Sequence, residues 1–308
     1  MKTVFISVLV ILLLASCKRS NEKIVGPSIC PSESFETVNA LVHPVSVNLN
    51  TTNATFNAQF NEVVDWSLTI RGTVSQSVKR FSGSSKMIQQ TWYGEPDTAL
   101  FFKAELCEVS LKIACREAIK SSLTITQPSG FANMPNTFLV TNMEGGGSST
   151  IGGPYGDGEN DITFGGLIPA PTDPSPQGGG YYYFDCDSIN PSYYFGGIYT
   201  NGAISLPATW TDPKQVYLNM FLNSDGFKNS DVQILCPGAG GVSYRKTMNW
   251  TGWKLLAFPL SEMEIQNPTS VSSLDFGLGS APNKEKSASM KLDFIIFTYG
   301  KPFYKETF

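Results

Sequence analysis

Between Ala54 and Ile70 the chain alternates apolar and polar residues: Ala54-Thr-Phe-Asn-Ala-Gln-Phe, then Trp66-Ser-Leu-Thr-Ile. A period of two is what an extended strand with one buried face requires, because successive side chains point to opposite sides. The alternation recurs in Val45-Ser-Val-Asn-Leu, Ala99-Leu-Phe-Phe-Lys-Ala-Glu-Leu and Ser122-Leu-Thr-Ile-Thr, with turns between. Strands at this spacing over about 100 residues predict a small antiparallel sandwich, from residue 30 to 127. Only 16% of the residues are charged, while there are 28 Gly, 19 Pro and 12 Tyr. That balance suits sandwiches with loops and argues against helical bundles.

The pattern breaks at Thr126-Gln-Pro-Ser-Gly-Phe-Ala-Asn-Met-Pro, so residues 128–135 read as a linker. Beyond it, Gly-rich loops (Gly145-Gly-Gly, Gly152-Gly-Pro, Gly178-Gly-Gly) separate aromatic strands. Val216-Tyr-Leu-Asn-Met-Phe-Leu, Val232-Gln-Ile-Leu, Trp253-Lys-Leu-Leu-Ala-Phe-Pro-Leu and Leu292-Asp-Phe-Ile-Ile-Phe-Thr are the clearest. Residues 136–308 are therefore expected to be a second all-β domain, and 308 residues suffice for two.

At the start, Lys2 precedes an apolar run from Val4 to Leu14, too short to span a bilayer comfortably. The run ends in Leu14-Ala-Ser-Cys17, which resembles the lipobox of bacterial lipoproteins. The resemblance implies a signal peptide over 1–16, acylation of Cys17, and a tether over 17–29 holding the protein at the outer membrane. Lys18-Arg19 follows, in place of the acidic run that resembles surface-export signals in glycan-harvesting bacteria. The side of the membrane that the protein faces stays open.

Two further resemblances concern the folded part. Val64-Asp-Trp-Ser-Leu-Thr-Ile-Arg-Gly and Gln90-Thr-Trp-Tyr-Gly-Glu resemble an immunoglobulin-like or fibronectin-like domain of surface proteins, which implies a spacer with Trp66 and Trp92 in its core. Asn249-Trp-Thr-Gly-Trp-Lys-Leu-Leu-Ala-Phe-Pro-Leu, Leu274-Asp-Phe-Gly-Leu, Leu292-Asp-Phe-Ile-Ile-Phe and Leu139-Val-Thr-Asn-Met-Glu-Gly-Gly resemble strands of galactose-binding-like jelly rolls of the carbohydrate-binding-module kind. In that family a structural calcium often joins the first and last strands, and Glu144 and Asp293 stand at the matching positions. Hard cations take oxygen ligands, and the Gly-rich loop after Glu144 offers carbonyls. The alternative is a pair of solvated or hydrogen-bonded acids.

A sugar site needs aromatic faces for C–H surfaces and polar groups for hydroxyls. Tyr181 and Tyr183 share one face of a strand, Tyr193 opens a second aromatic run, and Trp210 and Trp250 sit in loop and turn contexts. Asn219, Asn223 and Asp225 supply polar partners. The same aromatics equally suit two sandwich cores and a contact between them. Trp253 reads as core, on one face with Leu255, Ala257 and Pro259. A glycan is thus one expected partner; an outer-membrane protein, met through the jelly roll by an accessory subunit, is the other.

Catalysis has little support. His43 is the single histidine and precedes Pro44, so a Ser-His-Asp triad would have to cross domains. A net charge of −4 with no basic cluster argues against nucleic acid. With Cys17 acylated, five cysteines remain. Cys107 and Cys115 are placed to close a short loop, and Cys186 and Cys236 to pair in the second half. Cys30 is then left over, unless it replaces one partner of the first pair. Buried free thiols are an equal alternative. Asp97-Thr-Ala and Asp187-Ser-Ile resemble a bacterial O-glycosylation acceptor.

Overall fold

The computed structural model describes residues 30–156, 161–169, 171–187, 196–224, 230–237, 239, 244–280 and 287–303. The leader and Cys17 lie outside them. The described chain is all-β, as the alternation requires, and its helical turns are two short 3-10 segments.

The first sandwich is built from β1 (Thr37–Val42), β2 (Ser46–Asn48), β3 (Ala54–Gly72), β4 (Val78–Trp92), β5 (Leu106–Ile113) and β6 (Ile119–Gln127). Every even-numbered residue from Ala54 to Phe60, and again from Val64 to Ile70, is buried. Between these halves the register slips, with Gln59 facing Met87 and Val64 facing Ser85. A bulge of this kind bends a strand. The β3–β4 hairpin therefore pairs with β1 through its first half and with β5 through its second. β2 closes the far edge, parallel to β6. Trp66 and Trp92 are 6% and 0% exposed. Their indole N–H groups donate to Ser85 Oγ and the Glu95 carbonyl, both at 3.0 Å. A buried indole needs such a partner.

The disulfide differs from the expected short loop. Cys115, in the turn after β5, is joined to Cys30, with 5.5 Å between their Cα atoms. Cys107 sits inside β5 facing the core, as a free buried thiol. From Cys107 to the end of β5 the chain runs extended for about 20 Å, at about 3.3 Å per residue, so Cys107 and Cys115 cannot meet. Cys236 is likewise a free buried thiol, in the core of the second sandwich, so the pairing with Cys186 is not formed. The side chain of Cys186 is outside the described residues.

The second sandwich is a jelly roll. One sheet runs β15 (Trp253–Pro259), β12 (Val216–Asn223), β17 (Ser287–Tyr299), β10 (Tyr181–Asp187), β9 (Asp161–Ile168), with β7 (Thr137–Thr141) also on β17. The other runs β14 (Tyr244–Thr247), β13 (Ser230–Leu235), β16 (Asp275–Ser280), β11 (Gly196–Asn201), β8 (Thr150–Gly156). Phe184, Ile198, Leu218, Val232, Phe258, Phe276 and Phe297 fill the space between them.

β17 is buried on both faces. Ile295 and Phe297 point into the core, whereas Phe294 and Ile296 join Leu139, Phe221 and Leu255 in an outer apolar layer. Phe101, from the β4–β5 connection, covers that layer. Its ring lies 5.1 Å from Phe294, 5.3 Å from Phe221 and 5.6 Å from Phe131. The segment read as a linker is therefore packed: Phe131 is 3% exposed, and Thr137 Oγ1 donates to the carbonyls of Phe131 and Met134. Trp253 does share a strand face with Leu255. That face is this outer layer, however, while Leu256 and Phe258 point into the sandwich core.

Candidate functional site

The aromatic and amide residues singled out for a sugar do not converge. Trp210 is 4% exposed and stacks on Tyr299 with 5.6 Å between centroids. Tyr181 is buried, edge-on to Trp253, with the Lys291 ammonium 5.3 Å from its ring centre. Asn219 is wholly buried. Its Nδ2 donates to the Tyr217 and Ile296 carbonyls and to Thr298 Oγ1, and its Oδ1 accepts from the Phe303 N–H. It ties the C-terminal segment to β12 and, wholly buried, is closed to a ligand. Tyr183 is half-buried on the outer face of the six-stranded sheet. Trp250 packs against the core, with Lys254 5.2 Å from its ring centre. Tyr193 and Asp225 lie outside the described residues. A sheet covered on both sides buries both sets of alternating residues, as it does Tyr181 and Asn219.

A more convergent surface is the outer face of the five-stranded sheet, which the first sandwich does not cover. Ile198, Val232, Ile234, Phe276 and Leu278 point inward and are 0% exposed. Alternation therefore turns Asp231, Gln233, Arg245, Asp275, Gly277, Gly197 and Tyr199 outward. Gly277 pairs with Gln233 on one side and with Gly197 on the other, and Gln233 pairs with Arg245. Two neighbouring central strands thus carry no side chain at the same level; both glycines are buried, and the flanking side chains border a shallow trough over them. One level along, Asp275 pairs with Tyr199, and Tyr199 with Gly152. On the other side Asp231 faces Gly279.

Tyr199 is 39% exposed. A Cβ on Gly152 would fall 2.7 Å from its Cε2 and 2.9 Å from its Cζ, so the ring occupies the space over the glycine. Aromatic cover of a strand glycine fixes the ring. Burial pushes the Asp275 carboxyl upward from its ordinary range. An aromatic plate, a side-chain-free floor, an amide, a guanidinium and two carboxylates together suit a flat, hydroxyl-rich ligand. Tyr199 ends the run Tyr193-Tyr-Phe-Gly-Gly-Ile-Tyr, and Gly277 lies in Leu274-Asp-Phe-Gly-Leu. The overlooked signal was glycine recurring at the outward positions of adjacent strands.

A second polar cluster lies at the opposite sheet. Asp293 is 0% exposed; its Oδ2 accepts from Ser175 Oγ, and its Oδ1 from the Phe294 N–H at 2.6 Å. Burial pushes its carboxyl well above the ordinary range, and the charge of Glu144 adds to this. Glu144 follows β7, where Asn142 Oδ1 accepts from the N–H groups of Glu144 and Gly146 and shapes the turn. Glu144 Oε1 accepts from Gly179 N at 2.8 Å and Gly180 N at 3.1 Å. Burial nonetheless raises its carboxyl, and Gln177 also donates to it. Gln177 is 7% exposed, and its Oε1 is buried with no partner. The buried Asp293, the exposed Glu144 and an orphaned carbonyl oxygen together form an all-oxygen donor set of the kind calcium takes. Among the described residues no third His, Cys, Asp or Glu joins them, so further donors would be neutral oxygens.

His43 stays in the first sandwich, its Nδ1 2.9 Å from the Pro44 carbonyl and its Nε2 2.7 Å from Ser121 Oγ. The Thr98 hydroxyl of Asp97-Thr-Ala is buried, which closes it to a glycosyl donor. Ser188, in the second such motif, is outside the described residues.

No protein-family model matches the chain, and no curated protein does. Among solved structures, the chain is similar to a family 11 carbohydrate-binding module from Clostridium thermocellum, crystallised with a β-1,3-1,4-mixed-linked tetrasaccharide. The identity is 17% over 53% of this chain and 96% of that one, with a TM-score of 0.34. A family 30 module of a cellulosomal cellulase from Clostridium thermocellum shows 17% identity over 53% and 97%, at a TM-score of 0.32. The C-terminal family 22 module of Clostridium thermocellum Xyn10B shows 13% over 52% and 92%, at 0.30.

Proposed function

We propose that this chain is a lipid-anchored envelope protein whose second sandwich binds a glycan, without catalysis, in the trough of the five-stranded sheet. The observation that carries the reading is the Tyr199 ring packed over Gly152 beside the Gly197–Gly277 pair, with Gln233, Arg245, Asp231 and Asp275 on the same face. The ring supplies a surface for the C–H face of a sugar, and the polar groups supply donors and acceptors for its hydroxyls. The first sandwich serves as an immunoglobulin-like spacer. The anchor reading rests on Leu14-Ala-Ser-Cys17 and places the protein at the outer membrane.

Affinity electrophoresis of the full chain through polysaccharide gels tests the binding. Retardation by at least one polysaccharide, lost in Tyr199→Ala, is expected; mobility unchanged in every gel refutes it. Labelled palmitate should enter the wild type and not Cys17→Ser.

Glu144, Asp293 and the Gln177 carbonyl would hold a calcium ion, which supplies positive charge to the two acids, of which Asp293 is buried. A second reading, docking on an outer-membrane protein, is favoured by one observation. Val42, at the end of β1 on one edge of the sheet, and Val45, just before β2 on the other, are 63% and 82% exposed. Uncharged edges of this kind accept a further strand.

A further inference from the structure

Asp293 and Phe294 are consecutive and serve two different places. Asp293 is the buried member of the acid pair, while Phe294 turns its ring into the layer beneath Phe101. Phe294 has left-handed backbone, at φ 50°, and its N–H donates to Asp293 Oδ1. The register slips here too: Phe221 faces Asp293, whereas Asn219 faces Ile296. One bulge thus holds an acid and an interface ring in fixed relation. A non-glycine residue keeps such a backbone only where its surroundings over-determine it. The other acid, Glu144, lies with Gln177 along a cleft of about 490 Å³. Asn50 and residues 127–130, from the first sandwich and the connecting segment, line the same cleft.

We propose that a divalent cation held by Glu144, Asp293 and Gln177 fastens the first sandwich onto the second, so that cation binding and the seating of Phe101 stabilise each other. The inference rests on the calcium reading above. With the cation present, the bulge at 293–294 and the 175–180 loop share one charge-neutral centre, and Phe294 stays under Phe101. Without it, the bulge and the 175–180 loop lose their common centre, and Phe294 is held less firmly under Phe101. Linkage makes the effect reciprocal: whatever unseats Phe101 must weaken the cation by the same factor.

The test uses the full chain stripped with a chelator. Calcium affinity is measured by calorimetry, and the spread of the two sandwiches by small-angle scattering. Wild type should bind calcium and become more compact on binding. Phe101→Ala touches no ligand, yet its calcium affinity should fall about five-fold or more, the usual range of coupling between sites. Asn50→Lys, on an exposed turn, guards against a folding defect in the first variant. Its new charge should weaken calcium in the wild-type background and have less effect beside Phe101→Ala. Unchanged affinity in both variants, with calcium still bound, overturns the coupling alone. No calcium binding by wild type removes the cation reading, and the coupling with it.

Discussion

Gly152→Ala should damage recognition by adding a single methyl group. Its Cβ would lie 2.7 Å from Tyr199 Cε2 and 2.9 Å from Cζ, whereas non-bonded carbons settle at about 3.5–4.0 Å. The ring must tilt off the sheet by about 1 Å, and a gap of that size forfeits about a quarter to a half of each contact made over it. An aromatic anchor removed outright costs about 2 kcal/mol of binding, or about thirty-fold in Kd. Tilting it should then cost about 0.5–1 kcal/mol, or about two- to five-fold. The fold should not object, because Gly152 is not among the glycines of positive φ, and alanine suits a strand at least as well. The assay is affinity electrophoresis in the polysaccharide that retards wild type most, with thermal unfolding alongside. Expected is an unchanged Tm and a rank of wild type, then Gly152→Ala, then Tyr199→Ala. Equal retardation of all three would refute the platform, as would a loss in Gly152→Ala that Tyr199→Ala does not share.

Three other outcomes follow from the geometry. Cys115→Ser opens a loop of 85 residues, and the chain-entropy relation puts the cost at about 4–5 kcal/mol, read as a lower Tm that a reductant reproduces in wild type. Glu105 is 6% exposed and accepts from Val74 N, Ser75 N, Ser75 Oγ and Lys103 N. Burial pushes its carboxyl up, but these hydrogen bonds outweigh it and hold the group below its ordinary 4.5. Because the folded value is depressed, this stabilisation is complete above about pH 4.5 and is lost as pH falls through the folded value. Glu105→Gln should cost about 2–3 kcal/mol in denaturant at pH 7 and progressively less in acid; a pH-independent difference would contradict the assignment. Calcium at a hundred times its Kd should raise the unfolding free energy by about 2.7 kcal/mol, and Asp293→Asn should abolish that rise.

Much of the fold was legible because period-two burial is local. The even-numbered residues of β3 declare their inward face without reference to any other strand, and Trp66 and Trp92 follow from them. What failed depended on partners far along the chain. Trp253 and Leu255 were correctly placed on one face, but only the arrival of Phe101 decides that this face is covered from outside. Trp210 and Tyr181 looked presentable for the same reason. Cys115 has a nearer cysteine in sequence, and the extended run of β5 carries Cys107 away from it. The trough was hardest to see, since its main feature is missing side chains at Gly197 and Gly277. Register between β11 and β16 makes a floor of them, and no reading of a single strand shows register.

The cap of Phe101 over one outer face, with the trough on the other, gives the chain a direction for mechanical load. A polymer caught at Gly197 and Gly277 pulls from the side opposite the spacer. Its tension must pass through the jelly roll, then through the rings of Phe294, Phe131 and Phe101, before it reaches the Cys30–Cys115 bond and the N-terminal segment. Those rings form the weakest step along this line, because they alone hold by contact where strands and a covalent bridge hold on either side. Under a steady pull the protein should therefore yield first between its sandwiches, with the glycan still bound.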